Sequence, residues 1–261
     1  RDRSSPSWLR DLAGAWVFYT VLPGWIWPAP RFERIARFAP WIGVVIGGLM
    51  AGLWFLLSAL SWNPLSVAPV VLAFGLWLTG GLHLDGLMDT ADGLAAGSAR
   101  VLEAMDDSRV GASGVQALVM VLLLQFAALV RLDAWAPAVL ILAAVAGRVA
   151  PLWAMARFRY LRSEGTAGFH RRHHRGLREG RPTLLLLAVV MGMALVLQPA
   201  LLPMLLLVVL LALGAAVLVA EWLGRRLGGH TGDTYGASLM VTETLILLIA
   251  AVLLPGMTAA V

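Results

Sequence analysis

Cysteine and lysine are both absent from this chain of 261 residues. Without cysteine the chain forms no disulfide and no thiolate metal site, so any metal must rest on oxygen or imidazole ligands. Charged residues are also scarce, at 13% of the sequence, whereas soluble domains carry about a quarter. These absences exclude a disulfide-stabilised scaffold and count against an ordinary soluble domain.

Long apolar blocks fill the chain instead. Hydrophobic residues make up 60% of the sequence, and the mean hydropathy is +0.82. Because a membrane-spanning helix needs roughly 20 mostly apolar residues, these blocks predict an all-α, polytopic helical bundle with about seven spans. The predicted spans are Trp41–Leu60, Val67–Leu82, Val115–Leu132, Trp135–Ala156, Thr183–Gln198, Leu201–Trp222 and Ala237–Leu254.

The N-terminal segment, residues 1–40, has a different character. Its apolar part, Trp8–Trp27, is interrupted by a Pro-Gly pair and carries Arg10 and Asp11. We therefore predict an interfacial or re-entrant helix there. No short apolar run precedes a small-residue cleavage site, so we expect no removable signal peptide. We expect residues 1–261 to form a single membrane domain.

The distribution of arginine predicts the orientation. All 20 basic residues are arginines, which the codon bias of a GC-rich genome would explain. Eighteen lie in the N-terminal segment or in three longer loops, 83–114, 157–182 and 223–236; the others are Arg131 and Arg148. Because positive loops stay in the cytoplasm, we predict a multi-pass protein of the bacterial cytoplasmic (inner) membrane, with its N-terminus and these loops inside. The net charge of +5 gives no reason to expect nucleic acid as a partner.

The first of these loops contains three aspartates at helical spacing. Asp85, Asp89 and Asp92 lie at i, i+4 and i+7, within about 60° of one another around a helix. Like charges at this spacing destabilise a helix unless they are compensated. The alternative is a solvated acidic face. The absence of interleaved basic residues, and the glycines at 86 and 93, favour a divalent cation on hard oxygen ligands.

Two further polar segments lie on the same predicted side. Asp106–Gly114 combines carboxylates, a hydroxyl, an arginine and glycines, which are residue types that hold metal and phosphate together. Gly228–Gly236 places Asp233 between glycines and hydroxyls just before the last span. Here the alternative is a Gly-rich turn in which Asp or Thr caps the helix. Together the three segments predict metal-dependent phosphoryl transfer at the cytoplasmic face.

These segments resemble the cobalamin synthase family, adenosylcobinamide-GDP ribazoletransferase. The matching strings are His83–Gly93 (HLDGLMDTADG), Met105–Gly111 (MDDSRVG) with Gly114, and Thr231–Ala237 (TGDTYGA); Phe18–Pro23 (FYTVLP) is similar to the family's N-terminal segment. The resemblance covers essentially the whole chain. It implies an enzyme that joins α-ribazole, or its 5′-phosphate, to adenosylcobinamide-GDP and releases GMP. It also implies magnesium as cofactor, with manganese as the alternative.

The resemblance also implies roles for individual residues. The implied metal ligands are Asp85, Asp89, Asp92, Asp107 and Asp233. The implied catalytic residues are Asp85, Asp89, Asp92 and His83. The implied substrate-binding residues are Arg109, Ser108, Gly93, Gly111, Thr231 and Gly232, to which we add Arg148. Which aspartate accepts the proton stays open, and for His83 an interfacial hydrogen bond is the alternative.

Two other polar features have competing interpretations. Arg148 lies inside the fourth predicted span, where an arginine is costly and usually faces a polar cavity. We expect it to bind phosphate, and the alternative is a structural partner, Glu221 or Glu243. The run Gly168–Gly176 is predicted to anchor on anionic membrane lipids. Nucleotide contact is the alternative there, and zinc is disfavoured because neighbouring arginines repel a cation.

Two alternative functions are weighed against the transferase. Asp89–Gly93 followed by Ala99–Arg100 is similar to the motif of CDP-alcohol phosphotransferases of lipid synthesis, but the spacing differs. A divalent cation transporter would need carboxylates deep in the spans, whereas here they cluster at one face. The sequence leaves open the number of metal ions and whether the chain forms a homo-oligomer.

Overall fold

The computed structural model describes residues 5–162, 168 and 173–258. It is 81% helical and has no strand among those residues, which confirms the all-α fold. The helices in the described part of the chain are α1 (Ser7–Tyr19), α2 (Ala39–Ala59), α3 (Pro64–Leu78), α4 (Leu82–Ala96), α5 (Val101–Asp106), α6 (Ala112–Leu132), α7 (Ala136–Gly147), α8 (Val149–Arg157), α9 (Arg181–Leu197), α10 (Leu202–Leu227) and α11 (Gly232–Thr258).

Five helical stretches of the described residues are long and apolar enough to cross a membrane, and the bent pair α3–α4 makes a sixth if it counts as one span. The five are Ile35–Ala59, Ala112–Arg157, Gly176–Leu197, Leu202–Leu227 and Gly232–Leu254. The second contains 46 residues, or about 69 Å of helix, whereas one crossing needs roughly 30 Å. The polytopic architecture is confirmed, and the count of seven stays a prediction.

Two breaks divide the helices differently from the sequence pattern. Gly80 and Gly81 adopt φ angles of 60° and 71°, which glycine tolerates at little cost, and α4 turns by 92° from α3. Much of the predicted 83–114 loop is therefore helical, as α4 and α5. The predicted span Trp135–Ala156 lies within the stretch Ala112–Arg157, which is interrupted at Arg148 between α7 and α8.

Helix α11 forms the centre of the bundle. In its most apolar window 61% of the residues are buried, compared with 6% for the stretch that contains α9. It contacts α4, α6, α7, α8 and α10. Small buried side chains on its partners, such as Ala143 in α7 and Ala216 in α10, allow helices to approach closely in a membrane. Because α11 begins at the acidic segment, it connects that segment to the best-packed part of the fold.

Buried ion pairs hold the parts of the N-terminal segment together next to α2. Asp11 in α1 is fully buried. It accepts hydrogen bonds from Arg31 at 2.6 and 2.9 Å and another from Arg37, which lies two residues before α2. The helix ends at Tyr19, so it is shorter than the predicted Trp8–Trp27, and it is not among the stretches that suit a span.

Candidate active site

Three acidic side chains lie near one another where α4 packs against the start of α11. Asp85 and Asp89 are one turn apart on α4, which lies outside the five stretches above, and Asp233 is in the first turn of α11. Burial raises the pKa of Asp89 to about 6, reinforced by the charges on Asp85 and Asp233. Negative charge is therefore crowded here, and a cation or a proton would relieve it.

Glycines let α4 and α11 approach closely. A Cβ atom at Gly86 would lie 2.6 Å from the backbone oxygen of Asp233, and one at Gly236 would lie 3.0 Å from the backbone oxygen of His83. Gly93 has a similar role, because its Cβ would lie 2.7 Å from a side-chain atom of Met105 in α5. Helix packing thus accounts for Gly86 and Gly93, and the predicted approach of a ligand to them stays a prediction.

Asp92 holds the start of α6. One of its carboxylate oxygens accepts the backbone N–H of Gly111 at 2.7 Å, and the other accepts the N–H of Gly114 at 2.8 Å. A carboxylate is favourable at a helix N-terminus because the first N–H groups have no partner within the helix. Gly111 therefore contacts Asp92, and both oxygens of Asp92 are already engaged, unlike a ligand that awaits a metal.

Thr231 caps α11. Its hydroxyl oxygen accepts the backbone N–H of Thr234 at 3.3 Å, and its hydroxyl donates to Asp233 at 3.4 Å. The helix-cap interpretation is therefore confirmed for Thr231. The same cap holds Asp233 beside α4, while Gly232 lines the cavity described below.

Arg162 joins two of the acidic segments, and sequence analysis did not assign it to the site. Its Nη2 lies 2.9 Å from Asp106 Oδ1 and 2.9 Å from Asp233 Oδ2. Arg162 is 20% exposed and Asp233 is 22% exposed, so water screens this ion pair less than it would on an open surface, whereas Asp106 is 65% exposed. In the sequence Arg162 is one of many arginines of the loop 157–182, and no spacing distinguishes it from the others.

The residues next to Asp106 face solvent. Arg109 donates to Asp107 from Nε at 3.0 Å and from Nη2 at 2.7 Å, and these hydrogen bonds lower the pKa of Asp107 to about 2. Asp106, and not Asp107, is the carboxylate that reaches Arg162. Ser108, Arg109 and Asp107 lie outside the walls of the cavity described next, so their metal-binding and substrate-binding roles stay predictions.

A cavity of about 160 Å³ lies beside the carboxylates. Asp85 and Asp233 form its acidic edge, and Arg162 lines it as well. Alanine, proline, leucine and methionine side chains from α2 and α8 form much of the remaining wall. The chain has three tyrosines in all, and every one of them lines this cavity: Tyr19, Tyr160 and Tyr235.

Arg148 and His83 form the inner end of the cavity. Both also line a second, smaller cavity deeper in the bundle. Arg148 donates from Nη1 to Glu243 at 3.0 Å and to the carbonyl oxygen of Ala144 at 2.6 Å. The alternative partner Glu243 is therefore the one observed for Arg148. His83 is buried and stacks on Tyr19 at a ring distance of 6.3 Å.

The fit of the site to magnesium rests on its donor chemistry. Its charged donors are carboxylates, the oxygen ligands that magnesium prefers, and the crowding around Asp89 favours a cation. Among the described residues, no three histidine or acidic side chains converge closely enough to hold a metal ion. The metal-binding roles of the five aspartates stay predictions. His170, in the basic run considered for zinc, lies outside the described residues.

The sequence of the chain matches the family model described as cobalamin-5-phosphate synthase over residues 11–251. This range includes all three acidic segments and every side chain that lines the cavity. The chain belongs to the cobalamin-5-phosphate synthase family. The resemblance drawn from the acidic segments is thereby confirmed. No solved structure matches the chain.

Curated members of the family are similar to the chain over nearly its whole length. The adenosylcobinamide-GDP ribazoletransferase of Prochlorococcus marinus strain MIT 9313 is 57% identical over 262 residues, which cover 97% of this chain and 99% of the relative. The protein of the same name from strain MIT 9303 is 58% identical, over 96% and 98%. The one from Thermosynechococcus vestitus is 41% identical, over 91% and 94%.

Proposed function

We propose that this protein joins α-ribazole, or its 5′-phosphate, to adenosylcobinamide-GDP and releases GMP. The observation that carries the proposal is the 57–58% identity, over nearly full length, to curated proteins that bear the name of this activity. The site supports it, because carboxylates from distant segments lie together beside a cavity that suits part of a nucleoside.

The reaction forms one phosphorus–oxygen bond and breaks another. With free α-ribazole, the 5′-hydroxyl oxygen attacks the phosphorus next to cobinamide, and the bond to the bridging oxygen breaks so that GMP leaves. The hydroxyl proton passes to a carboxylate of the site. Asp85, Asp89 and Asp233 are the candidates to accept it. Arg162 lies beside them and would bind phosphoryl oxygens through charge-assisted hydrogen bonds.

Magnesium is the cofactor that we propose for this site. One or two of Asp85, Asp89 and Asp233 would hold it together with phosphoryl oxygens of the substrate, whose negative charge it would neutralise. The oxygen-only donor set and the raised pKa of Asp89 support it. Asp92 contributes instead by fixing the orientation of α4, because its oxygens hold the start of α6.

We also propose that the site faces the cytoplasm in the bacterial inner membrane, with lipid around the bundle. The arginine-rich loops support this orientation, because positive loops stay inside. Both alternative functions are less well supported. The acidic residues of the site lie on α4 and in the first turn of α11. The carboxylate deep in α11, Glu243, is already paired with Arg148, so the described residues give no support for an open acidic path through the spans.

The direct test is conversion of the two substrates by membranes that contain Asp85→Asn or Asp89→Asn. We expect each variant to lose at least about 100-fold in kcat/KM, because a lost metal ligand removes several kcal/mol of transition-state stabilisation. Asp133→Asn is the matched control, since Asp133 is an exposed residue at the break between α6 and α7. We expect this control to retain wild-type activity.

Three outcomes would contradict parts of the proposal. Wild-type membranes that convert CDP-diacylglycerol, but not adenosylcobinamide-GDP, would favour a lipid phosphotransferase. Normal activity of both Asp→Asn variants would remove the acidic site from the mechanism. Full activity after EDTA treatment and exchange into metal-free buffer would remove magnesium, and manganese added back to EDTA-treated protein tests the other oxygen-seeking ion.

A further inference from the structure

We infer that the cavity beside the carboxylates binds the aromatic base of the acceptor, α-ribazole. The diphosphate of the other substrate then lies at the acidic edge. This inference rests on the proposed function, because that function supplies the two substrates. Beyond that function, the inference specifies which substrate lies in the cavity and which part of that substrate the cavity holds.

The size of the cavity restricts what enters it. Its volume is about 160 Å³, and a protein cavity of about 150 Å³ is large enough to bind benzene. A corrin macrocycle is many times larger, so it must remain outside. Of the groups that the two substrates carry, a flat aromatic base is the one that matches this space.

The walls of the cavity suit a flat ring. Tyr19 and His83 stack on each other, and Tyr160 and Tyr235 lie 6.2 Å apart between ring centroids. These four rings come from three helices and the segment after α8, and all are buried. Aromatic side chains bind bases by stacking, without requiring a particular hydrogen-bond pattern. The cavity therefore provides binding that is strong for aromatic bases and depends on their shape.

Polarity distinguishes α-ribazole from the guanine of the other substrate. Guanine has donors and acceptors around its edge, and each would need a partner once buried. The wall beyond the acidic edge is largely apolar, as Ala36, Pro151 and Leu152 illustrate. The base of α-ribazole is a two-ring aromatic group with an apolar edge and one unsubstituted ring nitrogen. It therefore loses little hydration when it enters.

A buried donor matches that single ring nitrogen. Arg148 lines the cavity and is 1% exposed, and its Nε–H has no hydrogen-bond partner among the described residues. Its Nη1 is already bonded to Glu243, so the charge is balanced while the Nε–H is left without a partner. An acceptor on a bound base would satisfy this donor. With the base at this inner end, the ribose extends toward Asp85 and Asp233, where the 5′-hydroxyl must react.

Steady-state kinetics with each substrate varied in turn test this assignment. We expect Tyr160→Leu to raise the KM for α-ribazole about tenfold or more, because base–aromatic stacking is lost. The KM for adenosylcobinamide-GDP should stay within about twofold of wild type, since in this arrangement that substrate makes no stacking contact. Tyr160→Phe keeps the ring and should restore the KM for α-ribazole. Phe55→Leu is the control, since Phe55 is 63% exposed on α2 and does not line the cavity.

A second measurement covers variants that fold poorly. Leu152→Phe narrows the cavity without removing a ring. For wild type and variant, kcat/KM is measured with two substrates, the riboside of methyl-substituted benzimidazole and the riboside of unsubstituted benzimidazole. We expect the ratio to shift at least about tenfold toward the smaller base, because one methyl group in a tight pocket is worth that much. If the ratio of the two kcat/KM values is the same in Leu152→Phe as in the wild type, the assignment is overturned.

The results separate this inference from the proposed function. If wild-type protein forms no product from the two substrates, the proposed function fails. If wild-type protein is active and Tyr160→Leu raises the KM for adenosylcobinamide-GDP instead, the cavity holds guanine and the inference fails. Unchanged KM values for both substrates would also overturn it.

Discussion

Asp92 differs from its two neighbours on α4 in what its oxygens contact. Asp85 is exposed at the edge of the cavity, and Asp89 is crowded by other carboxylates. Asp92 instead accepts one backbone N–H on each oxygen. Three aspartates that look equivalent in sequence therefore divide into two residues near Asp233 and one that holds the start of another helix.

Asp92→Asn tests this division. An asparagine keeps one acceptor oxygen but turns an NH₂ group toward the second backbone N–H, so we expect unfolding to become easier by about 1–3 kcal/mol. Asp85→Asn should change stability by less than about 0.5 kcal/mol, as a surface substitution does. Thermal unfolding in detergent compares the two, and equal stability of both variants would contradict the anchor role.

At the residue scale, the sequence predicts part of the candidate site. Asp85 and Asp89 were recognisable from their spacing, and Asp233 from its glycine and hydroxyl neighbours. Arg162 and Tyr160 were missed, because their partners are distant in sequence and their own segment has no periodic pattern. The sequence predicts a role for Asp107, whereas the contact with Arg162 is made by Asp106. Sequence does not separate adjacent carboxylates, which differ only in the direction in which the chain points them.

At the scale of elements, the contact between α4 and α11 determines the site. The contact depends on Gly86 and Gly236, which let the two backbones meet. Sequence reasoning read Gly86 as room for a ligand, because a glycine after an aspartate serves either purpose and only the neighbouring helix decides between them. Sequence is equally uninformative about the predicted span Trp135–Ala156. Apolar residues continue on both sides of Arg148, so the pattern does not predict that the helix is interrupted there.

Gly86→Ala tests the contact between these helices. Its Cβ would lie 2.6 Å from a backbone oxygen, so the helices must separate, and we expect a loss of about 1–3 kcal/mol in stability together with a fall in activity. Gly48→Ala is the matched control, because no atom lies within 4 Å of that Cβ in α2, and alanine favours a helix over glycine by about 1 kcal/mol. If Gly86→Ala is as stable and active as Gly48→Ala, the contact between α4 and α11 does not require glycine at position 86.

At the scale of the whole molecule, composition predicted the fold class well. Long apolar blocks and few charges left an all-α membrane bundle as the natural solution, since only helices satisfy their own backbone hydrogen bonds without a partner strand. Composition did not show that α4 folds back against α11. That arrangement depends on the positive φ angles at Gly80 and Gly81 and on contacts across about 150 residues of sequence.

The cysteine-free sequence allows a clean test of orientation. Single substitutions Ser98→Cys, between α4 and α5, and Ala200→Cys, between α9 and α10, each introduce one thiol at an exposed position. In sealed right-side-out vesicles we expect a membrane-impermeant maleimide to label Ala200→Cys and not Ser98→Cys, with the reverse in inverted vesicles. Labelling of both after permeabilisation is the control, and the opposite pattern would place the site outside.

The hydrogen bonds from Gly111 and Gly114 to Asp92 affect how this protein tolerates changes in loop length. These hydrogen bonds hold the two ends of the segment 93–110 close together, so the segment forms a closed loop. Lengthening a loop whose ends are already pinned costs little, because closure entropy grows only with the logarithm of length. Insertions or deletions near Ser98 are therefore expected to leave Asp85, Asp89 and Asp233 in place.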